Sequence, residues 1–140
     1  MKIIGTIRAR HIYSDSRTEE FFKKNLIVDG GLETVAAGLA GDAVANPTHI
    51  AVGEGSTSAS ESDTDLVDEI ERLEANVSRT GSVVELEASF GPGQGTGSWT
   101  EAGLFSNSTG GTMFSRIVFP ERFKGENDTI QIDWTLDVNR

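Results

Sequence analysis

The clearest pattern in the chain lies near its end. Between Thr129 and Val138, Ile130, Ile132, Trp134, Leu136 and Val138 alternate with Thr129, Gln131, Asp133, Thr135 and Asp137. That two-residue period belongs to a strand with one face in a core. Weaker strand patterns cover residues 74–79, 82–90, 99–106 and 112–119, separated by glycine-rich turns at 91–97, 107–111 and 124–127. After Asn46-Pro47, the run HIAVGEG reads as a buried strand entering a glycine turn. Sustained helical spacing occurs once: Leu32, Val35, Ala36 and Leu39 follow the turn at Asp29-Gly30-Gly31, and Gly41 stops the repeat. Residues 65–73 predict one or two further helical turns with Leu66, Ile70 and Leu73 inward. Residues 56–65 (STSASESDTD) are polar, low in complexity and expected to loop.

The first 24 residues read differently. Residues 1–13 alternate imperfectly, with Ile4, Thr6, Arg8 and Arg10 on one face and Ile3, Ile7 and Ala9 mostly on the other. They predict an extended arm or edge strand with a basic, solvent-facing side. A polar connector, 14–24, follows and holds the pair Phe21-Phe22. The expected fold is therefore mainly β: an antiparallel β-sandwich or small barrel with one short α-helix covering an open end and an extended N-terminal arm. The expected division is residues 1–24 as arm and connector and 25–140 as a single β-rich domain. There is no internal repeat.

Composition narrows the function more than the fold. A chain of 140 residues buries a core without staples, and zero cysteines remove disulfides, thiolate zinc sites, iron–sulfur clusters and cysteine nucleophiles together. No apolar run approaches the ~20 residues that span a bilayer. Met1 begins no signal-peptide pattern, so a soluble protein is expected, with no membrane partner. The net charge of −10 argues against a nucleic-acid grip, which needs clustered bases. The charge is also uneven. Residues 1–24 hold six bases and three acids, the rest six bases and nineteen acids, and no Lys or Arg occurs from Asn25 through Glu71. Arg outnumbers Lys eight to four. Acidity with lysine poverty fits a protein working in concentrated salt, where screening over ~3 Å blunts self-repulsion; an ordinary acidic domain is the alternative.

Candidate chemistry is sparse. His11 falls in the arm and His49 begins a strand, neither with an evident carboxylate partner or nucleophile, so no hydrolytic triad is expected. Eight carboxylates between Glu54 and Glu74 face only Arg72. They lack the residue order of a calcium loop and read as a solvated acidic face. Two Trp and one Tyr are too few to line a sugar-cleaving cleft. The glycines at 91–97 lack the spacing and the following helix of a dinucleotide fingerprint. Acceptor sequons at Asn76, Asn107 and Asn127 are what chance places in a Ser/Thr-rich chain. No catalytic residue, cofactor or metal is expected, and an enzyme is not.

The order of several short motifs resembles small structural proteins of tailed viruses, of the tail-fibre, collar and baseplate type. The carrying segments are Lys24–Leu32, the Ala-rich helix to Gly41, Ile50–Gly55, Asp65-Leu66, Glu69–Arg72, Trp99–Phe105, Met113–Arg116 and the closing strand to Val138. Ala102 departs from the β-branched residue usual at its position. Within these segments Gly30 and Gly31 permit a turn between entry strand and helix. Glu101 and Arg116 lie on neighbouring predicted strands, placed for a partly buried ion pair. Gly103 leaves room for a close approach. The resemblance implies a non-enzymatic virion subunit, in the tail, baseplate or fibre attachment, that contacts other virion proteins and copies of itself as a homo-oligomer. It makes residues 1–13 a strap that adds as a strand to a neighbour. The implied interface comprises Ile3, Ile7, Arg8, Arg10, Phe21 and Phe22; the Phe pair alternatively staples onto the domain's own helix. A capsid decoration, turret or vertex protein, and a host-attachment module binding carbohydrate or a cation through loops 54–65, 91–97 and 107–111, are the other readings. Joined to the composition, the resemblance points to a virus of a haloarchaeon, with the protein located in the virion after assembly in the host cytoplasm.

Overall fold

A computed structural model describes all residues, 1–140, as nine strands and one helix. In chain order these are β1 (Lys2–Ile12), β2 (Thr18–Ile27), α1 (Asp29–Leu39), β3 (His49–Gly53), β4 (Glu69–Glu74), β5 (Asn76–Thr80), β6 (Val83–Phe90), β7 (Gly97–Phe105), β8 (Met113–Lys124) and β9 (Thr129–Asn139). They form one antiparallel sheet in the order β4-β3-β7-β8-β2-β1-β9-β6-β5. Two bent strands curl it into a nearly closed barrel. The first is β2, which pairs with β1 through Asn25 and then with β8 through Leu26 and Ile27. The second is β4 and β5, separated by Ala75 alone, one paired with β3 and the other with β6. The mainly β fold with one short helix is as expected. No helix is long and apolar enough to cross a membrane.

The core fills the barrel. Ile7, Leu86, Phe90, Trp99, Leu104, Ile130 and Trp134 are fully enclosed there. The inward face of β9 is the one its alternation predicts, Ile130 through Leu136. A second, smaller cluster of Val28, Ala51, Leu66, Phe105 and Met113 lies on the opposite face of β3, β7 and β8, beneath the loop 54–68. Two apolar faces explain why β3 and β7 carry no exposed residue and why β8 is buried over its first half.

Three expectations are corrected. Residues 1–13 are not a free arm: β1 lies between β2 and β9, pairing with β9 from Lys2 to Ile12 and with β2 from Gly5 to Ile12. Its inward face is Gly5, Ile7, Ala9 and His11, all buried, and two small residues and a histidine gave that face a weak apolar signal. The connector 14–24 is mostly β2, a strand whose residues stay largely exposed and therefore polar. The boundary at residue 24 accordingly disappears into one continuous sheet. Residues 65–73 hold no helix but the start of β4. The register steps from Val52–Glu71 to Gly53–Glu69, so Ile70 is an extra, bulged residue. That bulge lets Ile70 and Leu73, three apart, both reach the core. Their spacing imitates a helix.

Candidate functional site

Glu101 on β7 and Arg116 on β8 form the predicted ion pair, and it is wholly buried, with side chains 0% and 1% exposed and Nη2 to Oε1 at 3.0 Å. The carboxylate also accepts backbone N–H bonds from Gly55 (2.8 Å), Val67 (2.9 Å) and Asp68 (2.8 Å). Arg116 reaches across the same loop to Asp63 and to the carbonyl of Thr57, each at 2.9 Å. The pair clamps loop 54–68 onto the outer face of the sheet. A Cβ on Gly53 or Gly55 would lie 2.6 or 2.5 Å from the Glu101 carboxylate, so glycine is required at both. Gly103 supplies the expected close approach, since a Cβ there would meet Leu66, Phe105 and Met113 at 3.1–3.2 Å. Much of the acidic run is spent similarly: Glu54 accepts from the N–H of Ser98 and Glu71 from that of Gly95. Arg72 lies 3.8 Å above the Phe105 ring and donates to the carbonyls of Asn107 and Gly110. No group of three or more His, Asp or Glu stands close enough to hold a metal ion.

His11, expected at the surface without a partner, is buried at the far end of β1. Its Nε2 lies 2.9 Å from Asp128 Oδ2 and its Nδ1 3.1 Å from Arg122 Nη1. Arginine only donates, so Nδ1 accepts and Nε2–H donates to the carboxylate. Asp128 also accepts from the N–H groups of Gly125 and Ser14. Burial pushes its carboxyl up, but these three hydrogen bonds outweigh that and hold it below its ordinary value. Tyr13 stacks on His11 at 3.9 Å and donates to Glu19, which Arg122 also contacts. No hydroxyl is bonded to His11, so the pair lacks a nucleophile. It ties together the turn 13–17, the end of β8 and the turn 125–128. Lys124 is buried beside it, donating to the carbonyl of Gly91; burial lowers its pKa, against the pull of Asp128 and Glu71.

The open feature is the barrel mouth under α1. Gly30 and Gly31 let the helix lie directly on the backbone of β8: a Cβ on Gly31 would come 2.3 Å from the Phe114 carbonyl oxygen, and on Gly30 2.6 Å from that of Met113. The helix thus packs through its glycines, and of its apolar stripe only Val35 turns inward against the core. Leu32 and Leu39 face solvent, 54% and 78% exposed, with Ala36 between them. Asp42 and Gly41 donate to the carbonyls of Ala37 and Gly38, closing the helix as a Schellman turn with Gly41 at φ +82°. Between α1, residues 44–47 and the ends of β1, β5, β6 and β9 lies a cavity of about 470 Å³. Ile3, Val35, Val44, Val77, Val84 and Val138 are among its walls, and Arg79 is its sole charged lining residue.

The six residues of the expected interface do not form one surface. Ile3 borders this cavity, while Ile7 is fully buried in the core and unavailable to a partner. Arg8 pairs with Glu20 at 3.3 Å, and Arg10 donates to Gln131. Phe21 packs on Phe119 of β8, 5.2 Å between centroids, rather than on the helix, and Phe22 alone of the pair is exposed, at 65%. The strand expected at 74–79 is β5, whose five residues are all exposed. No protein-family model matches this chain, no characterised protein matches its sequence, and no solved structure matches its fold.

Proposed function

We propose that this chain is a non-enzymatic structural subunit of a tailed virus particle, in the tail, baseplate or fibre attachment, acting through contacts with other virion proteins and with copies of itself. The observation that carries the reading is the outward apolar stripe of α1, Leu32, Ala36 and Leu39, beside the open, apolar barrel mouth. A helix that spends its glycines on its own sheet and turns its leucines to solvent is arranged for a neighbour. The polar groups support the same reading, since the buried carboxylates and His11 are each engaged in holding loops and strand ends. Their bonds leave no free acid–base pair for a substrate. The strap role given to residues 1–13 is dropped, because that segment is part of the barrel. Quantitative mass spectrometry of separated tails and heads from host-produced particles tests the proposal. A fixed copy number in tails is the expected result, enrichment in heads favours a decoration or vertex protein, and absence from particles refutes both.

A further inference from the structure

The edge of β5 is open. Residues Gly81 and Ser82 form a two-residue hairpin turn, with Gly81 at φ +59°, and Thr80 and Val83 are its closing pair. In an antiparallel hairpin of this kind the closing pair exchanges both hydrogen bonds and the pairs then alternate. Val77 and Arg79, opposite Leu86 and Val84, are therefore the residues whose N–H and C=O groups point away from β6. None of the backbone hydrogen bonds outside the regular elements involves either residue. Their side chains share the inward face with Leu86 and Val84 and border the cavity under α1. The other sheet edge is protected by charge, since β4 carries Glu69, Glu71 and Glu74. By contrast β5 contains no acid, and Arg79 makes no ion pair in a chain of net charge −10, its guanidinium donating only to the Gly81 carbonyl.

Resting on the structural-subunit reading, we infer that β5 accepts an extended segment of another protein as an added antiparallel strand. That segment carries large aliphatic side chains at alternate positions and a carboxylate opposite Arg79. Main-chain bonds at Val77 and Arg79 hold the added strand, and its inward side chains supply the specificity. The aliphatic group opposite Val77 enters the mouth of the cavity, while the carboxylate meets the unpaired guanidinium. Five residues of β5 offer about 17 Å of edge. A second copy of this chain is a poorer occupant of the same edge, because its own β5 brings an arginine and no carboxylate.

The test is an amide-NMR titration of the whole purified chain with two capped peptides, Thr-Glu-Thr-Leu-Thr-Leu-Thr and the same sequence with Lys for Glu. The expected result is shifts confined to β5 and the cavity walls, with the Glu peptide binding about tenfold tighter. Arg79→Glu should invert that preference. Val77→Pro should abolish binding while the remaining amide spectrum stays native, because it removes an outward N–H without touching the β5–β6 ladder. No β5 shifts at millimolar peptide, equal affinity for the two peptides, or binding that survives Val77→Pro overturns the inference. Shifts of β5 with protein concentration alone overturn it in favour of a second copy. The titration uses no virus particle, so its failure leaves the particle experiment above standing, and the reverse.

Discussion

At the scale of single residues, the most consequential pair is Glu101 and Arg116, and their roles are unequal. Glu101 serves four partners at once: the guanidinium and the N–H groups of Gly55, Val67 and Asp68. Glu101→Ala leaves a buried guanidinium and three orphaned donors, and should cost about 3–5 kcal/mol. Arg116→Met leaves the carboxylate with its three N–H bonds and frees the partly exposed Asp63 and the Thr57 carbonyl, so it should cost clearly less. Urea denaturation of the two variants checks this order; equal losses would mean that the charge pairing, not the loop clamp, dominates. Asp128 makes a pH prediction. Its carboxyl is held below the ordinary 3.8 in the folded state. The stability it contributes is thus present above about that pH and lost as pH falls through the folded value. Asp128→Asn should flatten the acid side of the stability curve below pH 4, read by melting temperature across pH 2–6, and an unchanged curve would count against the His11–Asp128 lock. The ion pair was legible in the sequence from neighbouring strands. The lock was not, because its members lie 117 positions apart on β1 and a turn.

At the scale of elements, what the sequence conceals follows from shared signals. The alternation of β9 is visible because one face is wholly core and the other wholly polar. That of β1 fails because Gly5, Ala9 and His11 stand where large apolar residues give the pattern, and the bulge at Ile70 lends β4 a helical spacing. The helix is legible but its orientation is not: the leucine stripe predicts inward packing, whereas a glycine face allows backbone contact that no side chain permits. Hence Gly31→Ala should lift α1 from β8 and cost about 1–3 kcal/mol, while Leu39→Glu, at a largely exposed position, should stay within about 0.5 kcal/mol. Thermal unfolding of both separates them. If Leu39→Glu destabilises as much as Gly31→Ala, the outward stripe is holding the fold together and is not free for a neighbour.

At the scale of the whole molecule, the charge of −10 becomes a pattern on the barrel's outer wall. The register sets Glu87 directly opposite Asp133, and Asp133 opposite Arg8 on its other side. Arg8 is already shared with Glu20, so one base stands among three acids. Like charges facing each other across an antiparallel pair are destabilising, and the basic residues that the sequence concentrates in its first 24 positions answer part of this wall by lying in its middle strands. The basic stretch is thus less a limb reaching outward than an internal counterweight, and the excess that remains is left to the solvent. Salt should therefore stabilise the fold, with melting temperature rising from dilute buffer toward molar salt. Glu87→Gln isolates the cause. It removes one member of the facing pair without altering size, and should stabilise by roughly 0.2–1 kcal/mol in dilute buffer. At ~1 M salt, where screening acts over ~3 Å, the gain should shrink toward zero. Paired denaturation curves at the two salt concentrations measure both values. A gain that persists unchanged in molar salt would assign the effect to packing or solvation of the side chain, and would remove the electrostatic basis for the predicted stabilisation by salt.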